Sequence, residues 1–314
     1  DAGWPGLSVE ESNLSVQIAA LRKSLGRAPD GGEWIVTVPR VGYRLNTVNL
    51  TGSDGRTASR DPAAQEAFVK GRSMLLGQVL NRDIFTRMLE AFERAISHDP
   101  GFGAACAALA EAHVLDAANG WSGDRVAALA RARSYADQGL TLDRSNGYVL
   151  SVSALVALAE RDVERALRDS EAAIAVSAAG GMASTLYGCA LTAAGRPLEA
   201  IPHLELAVRS EPISHQYPLH HLGIAYFAAG RYAAAAAVFR ERIVLVPDTD
   251  MSRGFLAAAL CQLGQFEEAR SVWSDLMAIN PHWSLAGRLN EGMAMGETEV
   301  ERLVAGLRRA GIEA

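Results

Sequence analysis

Aromatic residues make up only 6% of the 314 positions, and no apolar stretch is long enough to cross a bilayer. A membrane partner is therefore excluded from the reading, and a cytoplasmic location is expected. The chain holds three cysteines, Cys106, Cys189 and Cys261, far apart and without a CxxC pair. That spacing excludes a disulfide framework and fits small buried residues in a reducing compartment. No phosphate loop, dinucleotide fingerprint, nucleophile elbow or zincin motif occurs, so neither an enzymatic role nor a cofactor is expected. His215, His220 and His221 cluster, with His203 upstream, but spacings of 5 and 6 do not place two imidazoles on one helical face, and no metal site is expected. The chain opens at Asp1 without a methionine or an apolar leader, which reads as a fragment and not a signal peptide.

What is present is alanine, leucine and an uneven charge. Residues 1–60 carry 7 Lys/Arg against 6 Asp/Glu, whereas the remaining 254 carry 23 against 30. An acidic body argues against nucleic acid along most of the chain and leaves any such contact to the front end.

Internal periodicity dominates the second half. Gly188, Gly223 and Ala257 are spaced 35 and 34 apart, and the same steps separate Ala200, Ala235 and Ala269. They recur in Gly195, Gly230 and Gly264, and in Pro212, Pro247 and Pro281. Each position has a physical task. A small residue lets a second helix cross closely, a glycine ends the first helix in a left-handed conformation, and proline stops the second. Large apolar residues, Leu204, Phe239 and Trp273, follow the crossing alanine by one turn. These units resemble tetratricopeptide repeats. Looser copies at 152–176, at 104–144 (with an insertion around Asn119–Asp124) and at 63–100 bring the number to about six hairpins, enough for a continuous core. The tail Thr298–Ala314 reads as a polar capping helix. The expected fold class is mainly α, a solenoid over 63–314.

The front is different text. In WPGLSVEESNLSVQIAALRKSLG, Leu14, Ile18, Leu21 and Leu25 share one helical face, with Glu10 and Glu11 toward its start and Arg22 and Lys23 in its later half. A turn at Asp30-Gly31-Gly32 leads into WIVTVPRVGYRLN, read as a β-hairpin with strand Trp34–Val38, tip Pro39–Gly42 and return strand Tyr43–Leu45. The two motifs together resemble the back half of the OmpR-like winged-helix DNA-binding domain of bacterial transcriptional regulators. Val9, Leu14, Val16, Ile18, Leu21, Arg22, Lys23, Leu25 and Gly26 match its helix, and Ile35, Thr37, Val38, Gly42, Tyr43, Arg44 and Leu45 match its wing. The family's preceding sheet and helices are absent ahead of Asp1, so the expected division is a partial winged helix (1–48), a flexible linker (49–62) and the repeat solenoid.

That resemblance implies double-stranded DNA as a partner of the completed domain. The helix Ser12–Gly26 would enter the major groove, with Ser12, Asn13 and Gln17 toward bases, Val16 toward a thymine methyl, and Arg22, Lys23 and Arg40 toward phosphate or minor groove. In the solenoid, Tyr148, Ser151, Thr185, Tyr217, His220 and Phe227 fall where first helices face a concave surface, which suits a protein, peptide or small ligand. The expected function is a DNA-binding transcriptional regulator whose solenoid senses a partner, with a homodimer compatible. The alternatives are a scaffold that binds no DNA, or the regulatory tail of a larger signalling enzyme.

Overall fold

The computed structural model describes residues 11–26, 33–38, 42–45, 58–75, 81–176, 181–210, 216–284 and 297–312. They form two compact units, residues 1–57 and 58–314.

The smaller unit contains helix α1 (Glu11–Leu25) and a two-stranded antiparallel hairpin, β1 (Ile35–Val38) with β2 (Gly42–Leu45). Ile35 pairs with Leu45 and Val38 with Gly42, so Gly42, expected in the tip, belongs to the return strand, and residues 39–41 lie outside the described residues. Arg22 ties the two pieces together. Its Nε donates to the Ile35 carbonyl at 2.9 Å and its Nη2 to Thr37 Oγ1 at 2.8 Å, while Glu33 lies 3.3 Å away. Ser15 Oγ and Tyr43 Oη meet at 3.0 Å. The apolar face anticipated on α1 is only partly covered, since Leu21 remains 48% exposed.

Among the described residues the larger unit is an alternation of first and second helices in six hairpins. These are α2 (Pro62–Leu75) with α3 (Arg82–His98), α4 (Gly103–Asn119) with α5 (Arg125–Leu142), and α6 (Gly147–Ala159) with α7 (Val163–Val176). Then come α8 (Gly181–Ala193) with α9 (Pro197–Ser210), α10 (Gln216–Ala228) with α11 (Tyr232–Leu245), and α12 (Asp250–Gln262) with α13 (Phe266–Ile279). A last helix, α14 (Glu297–Arg309), covers the end. Each second helix packs on its own first helix and on the next one, and the first helices from α4 to α12 also pack on one another. First helices such as α4, α6 and α8 are therefore enclosed nearly all round, which explains why they are apolar without a clear polar face.

The repeat positions do what their chemistry requires. A Cβ built on Gly188 would lie 2.5 Å from Leu204, one on Gly223 2.5 Å from Phe239, and one on Gly71 2.4 Å from Phe92. The missing side chain in the first helix is thus the space filled by the large side chain of the second. Gly195, Gly230 and Gly264 all have positive φ, between 73° and 76°. After each, a backbone N–H reaches back over the turn, as from Arg196 to the Leu191 carbonyl (2.8 Å) and from Arg231 to that of Tyr226 (2.8 Å). The third hairpin makes the same closure with Asp162 N–H to Ala157 O at 2.9 Å, but puts Arg161 in the left-handed position at φ 64°.

Two boundaries differ from the sequence reading. The third hairpin begins at Gly147 and not at 152, because Asn146 caps it by accepting from the N–H groups of Tyr148 and Val149. Residues 58–62, expected within the linker, fall in the larger unit: Pro62 starts α2, Asp61 Oδ1 accepts from Ala63 and Ala64, and Ser59 binds Gln65 and Asp99. The rest of the anticipated linker lies outside the described residues.

At the far end, α14 buries Leu303, Leu307 and Ile312 against the cluster that holds Ala257 to Leu260. Gln262 Nε2 donates to the Arg302 carbonyl (2.7 Å), and Arg270 to that of Ala310 (3.1 Å).

The two kinds of glycine should fail differently. Gly223→Ala is expected to cost about 1–3 kcal/mol by driving a methyl into Phe239. Gly230→Ala, which meets open space, is expected to cost about 1–2 kcal/mol through backbone strain alone. Urea unfolding of both variants checks this, and a further Phe239→Leu change should rescue only the first.

Candidate partner-binding groove

Arg72 on α2, Glu111 on α4 and Tyr148 on α6 meet although they come from three successive hairpins. Arg72 Nη1 donates to Glu111 Oε2 at 2.7 Å and to Tyr148 Oη at 2.8 Å, and Tyr148 Oη donates to the same carboxylate at 2.6 Å. The guanidinium also sits 4.6 Å from the centre of the Tyr148 ring. Burial opposes the charge on Arg72, but Tyr148 and Glu111 outweigh it and hold its pKa above the usual value. Burial likewise pushes the Tyr148 phenol well up, so it stays a neutral donor. The network locks three first helices in register, as charged groups can do inside a protein only when fully paired.

Further along the same face lies Tyr217, at the start of α10. It is 47% exposed, with its ring edge-on to His221 at 4.6 Å. Desolvation pushes its phenol up, with Cys189 of α8 and Glu111 of α4 adding to the shift. His220 is buried between Phe239 and Phe255, with Nδ1 3.1 Å from Ser252 Oγ. Desolvation lowers both imidazoles, assisted by the Arg242 charge, and His221 falls to about 4. Cys189 is half-buried and burial pushes its thiol up.

The six residues expected on this face divide. Tyr217 is accessible, and Tyr148 lies on the face but is committed to Arg72 and Glu111. His220 is part of the packing. Ser151 and Thr185 are corrected: both are buried, and each hydroxyl donates to a carbonyl four residues back, Gly147 and Gly181, at 2.8 Å. A hydroxyl turned onto its own helix offers a partner nothing. Phe227 is also corrected, being wholly buried against Tyr232 and Phe255 between hairpins. Sequence reasoning missed Arg72 and Glu111. A signal existed, since Glu111 interrupts the otherwise uncharged run AACAALAEAH.

In the smaller unit, Val16, Gln17 and Lys23 are exposed, Val16 to 64%. Arg22 holds the hairpin, which takes it out of the role of a free phosphate contact. The side chains of Ser12 and Asn13, and all of Arg40, lie outside the described residues. Among the described residues, no three His, Cys, Asp or Glu side chains come together as a metal site, and no helix is long and apolar enough to cross a membrane.

No family model matches the chain, and no curated protein matches it. Among solved structures, a chain of the APC/C hetero-tetramer Cut9–Hcn1 superposes with a TM-score of 0.60 at 14% identity, over 79% of this chain. This chain spans 44% of that one's length. YrrB, described as a TPR protein with an unusual peptide-binding site, matches with a TM-score of 0.43 at 20% identity, over 65% of this chain and 99% of its own. A thermophilic TPR protein of Thermus thermophilus gives 0.49 at 18%, over 63% of this chain and 99% of its own. The first of these supports a mainly α, TPR-like helical solenoid. None of the three carries the resemblance of the front end to a DNA reader.

Glu111→Ala is expected to destabilise the fold by about 3–5 kcal/mol, because it strands the Arg72 guanidinium. Tyr148→Phe should cost about 1–2 kcal/mol. A double-mutant cycle in urea should show strong coupling between the two. Stability should also drop as pH falls from 6.5 toward 4, where unfolded histidine takes up protons that folded His221, at about 4, does not. His221→Gln should flatten that slope in thermal melts recorded across the range.

Proposed function

We propose that this protein is a non-enzymatic interaction scaffold, whose solenoid holds a protein or peptide segment along the face of its first helices. The carrying observation is Tyr217, a large aromatic left half-exposed at the start of an otherwise enclosed helix, with His221 against it. Aromatic anchors in a concave, partly dried setting are where binding free energy concentrates. The pairing of Arg72, Glu111 and Tyr148 further supports a preshaped groove, since a locked register spares the partner the cost of ordering it.

A second reading keeps the DNA-binding regulator. The helix and hairpin of the smaller unit favour it, because α1 leaves Val16, Gln17 and Lys23 outward while Arg22 fastens the β-strands behind it. On this reading the smaller unit contacts DNA through α1, and the solenoid senses the partner.

A photo-crosslinking residue placed at 217 should capture a discrete partner from cells of origin, and one placed at 244, on exposed Val244 of the second helix α11, should not. A peptide from the captured protein should bind about fivefold or more weakly to Tyr217→Ala, whose helical circular dichroism stays unchanged. Equal capture at both positions would remove the groove reading. For the regulator, Lys23→Ala should flatten the log–log salt dependence of DNA binding by roughly one unit, measured by fluorescence anisotropy. A chain that shows no salt-dependent binding would leave the scaffold alone.

A further inference from the structure

Between the second helices α5 and α7 lies a cavity of about 340 Å³. Asp137 and Leu140 of α5 form one wall, and Arg165, Arg168 and Asp169 of α7 the other. Leu150 of α6, on which both helices pack, and Arg144 of the turn after α5 complete it. At roughly 30 Å³ per water, that space suits a ligand of about ten non-hydrogen atoms. Small concave sites with an apolar wall and a few convergent polar groups are where such ligands bind.

One end of the cavity is acidic. Arg165 Nη2 donates to Asp137 Oδ1 at 2.6 Å and to Ser153 Oγ at 3.0 Å, and its Nε donates to Asp169 Oδ2 at 3.4 Å. Two carboxylates around one guanidinium leave this end one charge negative, and each carboxylate uses a single oxygen for Arg165. The other end is basic. Arg144 follows Leu140 by four residues and Asp137 by seven, so the three continue one line along α5 and past its end. Arg168 stands one turn beyond Arg165 on α7. Both Arg144 and Arg168 are exposed, and Glu164, which Arg168 meets at 4.0 Å, is no part of the wall. Between the two ends, Leu140 and Leu150 present an apolar wall backed by Ala173, Ala183 and Ile174.

With Glu164 counted, three arginines stand against three carboxylates, so the site is neutral on balance but polarised. Such a site favours a zwitterion over an ion of either sign, because each pole repels what the other attracts. We infer that this cavity binds a free apolar α-amino acid. Its ammonium lies toward Asp137 and Asp169, its carboxylate toward the guanidinium forks of Arg144 and Arg168, and its side chain on Leu140 and Leu150. Most of the lining comes from second helices, so the site is separate from the face of the first helices and does not rest on the scaffold reading. An occupant touches two successive hairpins at once and therefore stabilises the junction between them.

The test uses the intact chain with isotope-labelled leucine methyl groups, the signals of Leu140 and Leu150 being assigned by Leu140→Met and Leu150→Met. Unlabelled leucine, valine and phenylalanine are titrated at constant pH and ionic strength. The controls are 4-methylpentanoate, which lacks the ammonium, leucinamide, which lacks the carboxylate, and glycine, which lacks the side chain. At least one of the three apolar amino acids should shift both methyl signals saturably, with a dissociation constant on the order of 1 mM. Each control should bind about tenfold or more weakly than that amino acid. Arg144→Gln combined with Arg168→Gln should weaken binding about tenfold or more, with the helical circular dichroism unchanged because both side chains are exposed. If no apolar amino acid moves the two signals saturably in the wild type, the inference falls. It falls equally if a control matches the amino acid, or if the double variant binds as the wild type does. Crosslinking at 217 that still captures a partner would in each case leave the scaffold reading standing.

Discussion

The solenoid depends on one steric exchange. In each of three hairpins a first-helix position gives up its side chain so that a second helix can seat a large one there: Gly71 for Phe92, Gly188 for Leu204, Gly223 for Phe239. Because the small position and the large one lie on different helices, the contact fixes how near and at what angle the pair can cross. The left-handed turn that follows sets the direction of return, and the next first helix then meets both. The stacking of first helices on one another, which makes the inner face, follows from those crossings and not from any strong preference of its own.

Much of this was legible in the residue order. The repeat of Gly188, Gly223 and Ala257 reports a close crossing that needs a small residue, and that of Gly195, Gly230 and Gly264 a left-handed turn that favours glycine. Such needs are local, so they survive in a single sequence. Apolar spacing likewise pointed to the helix expected at Ser12–Gly26, which lies at Glu11–Leu25. It did not find Arg161, because a left-handed arginine looks like any surface arginine. The start of the third hairpin was missed because Asn146 caps a helix whose first turn lacks the repeat pattern.

The groove was less legible. Ser151 and Thr185 have the spacing of inward positions, but spacing does not say whether a hydroxyl turns outward or back onto its own carbonyl. Arg72, Glu111 and Tyr148 belong together only after three hairpins have stacked, and their separation varies with each loop between them.

The capping helix α14 has a bearing on how such a chain changes length. Every interior junction presents a second helix and a bare first-helix flank to the next hairpin, so any hairpin is interchangeable in kind with its neighbours. α14 meets α12 through Leu303 and Leu307 and ties itself to Gln262 and Arg270. A gene that duplicates or deletes one 34- or 35-residue unit upstream of Pro247 therefore leaves the terminal joint untouched. Copy number can drift in the middle of the array, and with it the length of segment that the inner face can hold, while the last hairpin and its lid stay inherited as a pair.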